Sequence, residues 1–163
     1  MTRILVLANE TCAGEAVLDE VRYRAGDGAE VLVVAPVLAS SRAAHWLGAG
    51  TGDARAAARE RLDLSVSALR SAGIAARGQI GDSDPLQALD DAIRVFHPEQ
   101  VIISTHPPAH STWLERKVVE QARQRYPVPV THVVVDLVHE SERVERDGRP
   151  GPRIPVHMIT LYH

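Results

Sequence analysis

At 163 residues, the chain suits one domain with a single substantial core. An apolar content of 45% beside 24% charged residues excludes a disordered chain. A net charge of −3, with arginines interleaved among acids as in ARERLD, argues against nucleic acid as a partner.

The first predicted element is a strand over Arg3–Ala8, near-continuously apolar as parallel strands covered on both faces are. Ala13, Val17, Val21 and Ala25 then share one helical face. A second strand, Glu30–Ala35, leads into Leu38–Asp53, a connection longer than most in compact domains. His45 and Trp46 at its middle either close over the carboxyl edge of a sheet or anchor the loop. Ala58, Leu62, Ser65 and Leu69 mark the next helix, and Ile74–Ile80 the third strand.

Asp84-Pro85 reads as an N-cap followed by proline at the first helical position. The helix it opens carries Leu86, Leu89, Ile93 and Phe96 on one face. Val101–Ser104 is the fourth strand. Thr112 and Glu115 form a capping box that places a helix start at Trp113. Leu114, Val118 and Ala122 line that helix, and Tyr126-Pro127 ends it. Val130–Asp136 is the fifth strand.

From His139, HESERVERDGRPGP reads as a charged linker and RIPVHMITLYH as a strand-like arm, with Val156, Met158, Thr160 and Tyr162 on one face. The arm is open to three fates: disorder, addition to the sheet, or pairing with another subunit. The expected organisation is an α/β domain over 1–138 and a linker with arm over 139–163. Strict alternation of strands and helices implies right-handed crossovers and a doubly wound, Rossmann-like parallel sheet.

The single cysteine, Cys12, leaves no internal disulfide framework and fits a reducing compartment. No apolar run reaches the roughly 20 residues that span a bilayer, so a cytoplasmic protein without a membrane partner is expected.

Three segments carry a resemblance to the universal stress protein family over residues 1–138. ILVLANET is similar to the family's first strand and turn, GDSDPLQALDDA to its third strand and following helix, and KVVEQARQRYPVPVTHVVVD to its last helix, Pro-x-Pro-Val turn and final strand. The resemblance implies five parallel strands in the order 3-2-1-4-5, a homodimer and, in one branch of the family, ATP binding. That order makes the gap between strands 1 and 4 the topological switch point, where ligands bind outside the carboxyl ends.

The phosphate chemistry departs from that branch. Its motif is G-x-x-G, nine residues, then G-[ST]. Here Ser104-Thr105-His106-Pro107 is followed, one residue short, by Arg116-Lys117. Both loop glycines, which let backbone amides approach phosphate, are missing. Pro107 and Pro108 delete two more N–H donors. Asn9 stands where nucleotide-binding members carry an Asp, and Glu10 adds a negative charge nearby.

Side chains replace the cradle as candidates. Asn9, Thr105, His106, His110, Ser111, Arg116 and Lys117 gather around one crevice and a helix N-terminus, which favours anions. The ligand expected is a nucleotide such as ATP or another small anion. His106 and His110 have ligand-like spacing, but the intervening PPA cannot be helical, and no metal site is expected. His132 and His97 read as structural histidines, and Cys12 as a small buried residue. No paired acid or nucleophile stands out, so no catalytic residue is assigned. The expected role is a non-catalytic, small-ligand-binding stress or regulatory protein. The alternatives are an interaction module with a vestigial pocket and an enzyme acting on nucleotides through His106.

Overall fold

The computed structural model describes residues 1–8, 15–25, 28–37, 51–105, 113–136, 141–146 and 149–155. In chain order these form β1 (Thr2–Ala8), α1 (Glu15–Ala25), β2 (Ala29–Pro36), α2 (Thr51–Ser71), β3 (Ala75–Gly81), α3 (Pro85–Phe96), β4 (Gln100–Thr105), α4 (Trp113–Arg125), β5 (Val130–Asp136), β6 (Ser141–Arg146) and β7 (Arg149–Pro155). Each of the five expected strands is present, with ends shifted by at most one residue. The connection expected over Leu38–Asp53 gives way to α2 at Thr51, and its first part, with His45 and Trp46, lies outside the described residues.

The sheet has the order β3-β2-β1-β4-β5-β6-β7. Neighbours within β3-β2-β1-β4-β5 are parallel, and β6 and β7 add to β5 antiparallel. The segment read as a charged linker is thus β6 and most of β7. Strand-forming apolar residues are scarce there, so the sequence hid the hairpin. Backbone pairing with the open edge of β5 supplies the order that composition does not. Residues 156–163 of the arm lie outside the described residues.

Side-chain alternation along the parallel strands splits the core in two. Ile4, Val6, Val31, Val33, Ile102 and Val133 pack with Val17 and Val21 of α1 and Leu62 and Leu69 of α2 on one face. Leu5, Leu7, Leu32, Val101 and Ile103 pack with Leu89 and Phe96 of α3 and Val118 and Ala122 of α4 on the other. The described members of all four helical stripes read from the sequence therefore face the sheet, while Ala13 and the Leu114 side chain lie outside the description.

Local chemistry sets the boundaries. Asp84 caps α3 by accepting from the Leu86 N–H at 3.0 Å, with Pro85 next in line. His97 ends the same helix in the left-handed region (φ 50°), its N–H bonded to the Ile93 carbonyl. The Tyr126 hydroxyl donates to Asp90 at 2.8 Å, tying the end of α4 to α3. Burial first, and then that bond, raises the Tyr126 phenol above its ordinary pKa, so it stays a donor at neutral pH.

Gly81, where β3 turns toward α3, is required by close approach. A Cβ there would lie 2.7 Å from the Ala88 Cβ and 2.9 Å from the Val34 Cγ1. Since the Ala88 Cβ moves only with its helix, Gly81→Ala must push α3 off the sheet. The expected loss is about 1–3 kcal/mol, read from urea unfolding of the variant beside the parent.

Candidate functional site

The first crossovers, β1-α1-β2-α2-β3, lay α1 and α2 on one face. The chain then changes faces, and α3 and α4 cover the other. In consequence, β1 and β4, which lie side by side with Ala8 opposite Ser104, send their following helices to opposite faces. The carboxyl ends of β1 and β4 are therefore the topological switch point of the sheet, and the segments that leave them, 9–14 and 106–112, lie outside the described residues.

Of the expected site residues, Thr105 is the one whose surroundings are best defined. It ends β4, is 2% exposed, and its Oγ1 lies 2.6 Å from the His132 Nε2. The parallel register explains the contact. Ile103 sits opposite His132 on β5, so His132 and Thr105 stand on one face, two residues apart along the strands. The hydroxyl either donates to the ring or accepts from it, according to the tautomer. Ser104 beside it is fully buried and turned to the α1–α2 face.

Lys117 is exposed on α4, and Arg116 precedes it in that helix. The helix begins at Trp113, as the capping box predicts, while Thr112 itself lies outside the described residues. Asn9, His106, His110 and Ser111, together with Glu10, Cys12, Pro107 and Pro108, also lie outside them. What the described structure brings together is therefore Thr105 with His132, between the carboxyl end of β4 and its neighbour β5. Sequence reasoning read His132 as a structural histidine and could not name its partner. Its partner is set by β4–β5 register, which is nonlocal.

A second polar cluster stands on the opposite face. Glu20 of α1 is 2% exposed and its Oε1 is bonded to the Arg24 Nε at 2.9 Å. Arg24 also donates from Nη2 to the Thr131 hydroxyl of β5 at 3.3 Å. This cluster ties α1 to the edge of the parallel sheet where the hairpin begins.

Among the described residues, no group of three or more His, Cys, Asp or Glu side chains could hold a metal ion. Nor is any helix among them long and apolar enough to cross a membrane.

No family model matches the sequence, and no curated protein matches it significantly. Solved structures do match the fold. A universal stress protein family member from Burkholderia pseudomallei aligns with a TM-score of 0.57 and 18% identity, over 80% of this chain and 94% of its own. A universal stress protein family protein from Arabidopsis thaliana, solved with AMP bound, aligns with a TM-score of 0.59 and 10% identity, over 86% of this chain and 95% of its own. A deacetylase triple mutant of the teicoplanin biosynthetic pathway aligns with a TM-score of 0.52 and 22% identity, over 84% of this chain and 65% of its own. At such identities the match speaks for architecture, and one architecture hosts several chemistries. The chain has the universal stress protein fold, five parallel strands in the order 3-2-1-4-5 between two pairs of helices, extended at β5 by an antiparallel hairpin.

Proposed function

We propose that this chain is a non-catalytic, small-ligand-binding stress or regulatory protein of the cytoplasm, acting as a homodimer. The ligand is a nucleotide, or another small anion, held in the crevice between β1 and β4. The observation that carries the reading is the divergence of α1 and α4 from the adjoining ends of β1 and β4. An AMP-bound protein of the same fold supports the choice of ligand class. Without the glycine cradle, Asn9, His106, His110, Ser111, Arg116 and Lys117 supply the polar contacts, and Thr105 with His132 forms the floor on the β4 side. Neither nucleic acid nor a membrane is a partner in this reading.

Calorimetric titration with AMP, ATP and inorganic phosphate, with and without magnesium, tests it. At least one of the three should bind. His106→Ala and Lys117→Ala should each weaken binding on the order of tenfold, as loss of a charge-assisted contact does. If none binds up to millimolar concentration, the ligand reading is wrong. A second reading then gains, an interaction module whose pocket is vestigial. One observation favours it: the Thr105 hydroxyl is buried and already engaged with His132.

A further inference from the structure

Among the described residues the sheet has two outer strands, β7 and β3. They differ in what they offer a further strand. β7 contains Pro150, Pro152 and Pro155, three positions with no N–H to donate, which blunts that edge. β3 reads AARGQIG and contains no proline. Ala75, Arg77, Gly78 and Gln79 are all exposed along it.

The direction of its backbone groups follows from one bond. The Gly81 carbonyl accepts from the Val37 N–H, so Gly81 faces β2. Backbone groups alternate along a parallel strand, and Ala76, Gly78 and Ile80 therefore present theirs outward. Arg70 of α2 donates from Nε to the outward carbonyl of Ala76 at 2.9 Å. A carbonyl accepts two bonds, so this contact leaves room for another donor.

The strand is also matched to itself. About Gly78 its sequence is symmetric in character: Arg77 and Gln79 are long and polar, Ala76 and Ile80 apolar, Ala75 and Gly81 small. Antiparallel pairing of two copies centred on Gly78 sets Ala76 opposite Ile80 and Arg77 opposite Gln79. It uses all seven residues and every outward donor and acceptor of the row. Centring one residue earlier, on Arg77, would oppose two arginines, which like charges disfavour. Glycine at the axis has its own cause, since a Cβ on Gly78 would lie 2.6 Å from the Leu62 Cδ1 of α2.

We propose that β3 is the homodimer interface, pairing with β3 of a second copy about a two-fold axis at Gly78 to make one continuous sheet. The inference rests on the homodimer part of the function proposed above and is independent of the ligand. It is an isologous contact, closed at two copies. The other end of the parallel sheet is not available for this purpose, because β6 already occupies the outer edge of β5.

The charge at residue 79 tests it. Gln79 is exposed, so its variants should fold normally, which a thermal melt by circular dichroism checks. In the dimer, Gln79→Glu places a carboxylate opposite each Arg77, and Gln79→Lys places a cation there. Sedimentation equilibrium of the full chain should show a dimer, tightened by Gln79→Glu and weakened by Gln79→Lys. The two dissociation constants should differ on the order of tenfold, and the difference should shrink in high salt. A dimer indifferent to the charge at 79 would overturn the β3 interface while leaving the homodimer. A chain that stays monomeric into the millimolar range would overturn both.

Discussion

Ile103→Ala is expected to remove about 3 kcal/mol of stability and to lower the melting temperature by roughly 10 °C. Ile103 is fully buried near the middle of the sheet, on the face covered by α3 and α4. Deleting three of its carbons forfeits their transfer from water and leaves a hole that close-packed neighbours fill only in part. Strand geometry limits the collapse, because β4 is paired on both sides, to β1 and to β5. The loss also falls beside the Thr105–His132 contact, so the floor of the proposed site loosens with the core. Val95→Ala on α3 is the control. Val95 is 81% exposed, and its loss should stay within about 0.5 kcal/mol. Equal losses at the two positions, measured by denaturant unfolding, would contradict the packing described for Ile103.

Arg24→Met is expected to cost a similar amount, about 3 kcal/mol, for a different reason. Glu20 sits in the core face of α1 with 2% exposure, and Arg24 is its cation at 2.9 Å. Methionine keeps much of the apolar stem and removes the charge, so a buried carboxylate loses its ion pair. The hydrogen bond to Thr131 goes with it. Removing both charges should behave differently. The double variant Glu20→Leu with Arg24→Met should recover to within about 1 kcal/mol of the parent, since neither desolvation cost then remains. A double-mutant cycle of the four proteins measures the coupling. If the losses simply add, the pair contributes through shape alone and the electrostatic account fails.

How legible these features were from the sequence varied with how local their causes are. Apolar runs and helical spacing showed five strands and the faces of four helices, and the alternation of strands with helices implied that the strands run parallel. The start of α3 at Asp84-Pro85 and of α4 at Trp113 was equally readable, since a cap is decided within four residues. The strand order came from family resemblance rather than from spacing, and the sheet has that order.

The hairpin of β6 and β7 was not legible as strands. SERVER and RPGPRIP lack the apolar alternation of a core strand, and their order comes from the unsatisfied edge of β5, which no window of sequence contains. Register decided the rest. It sets His132 against Thr105, 27 residues away, and brings Arg24 to Thr131 across 107 residues. It also puts Gly78 and Gly81 where helices approach too closely for a side chain. Sequence by itself thus determined the apolar core faces of the parallel strands and helices and most of their boundaries, because those depend on neighbours along the chain. Only the tertiary structure decided which polar side chains meet and that the hairpin covers the edge of β5, because those depend on neighbours across it.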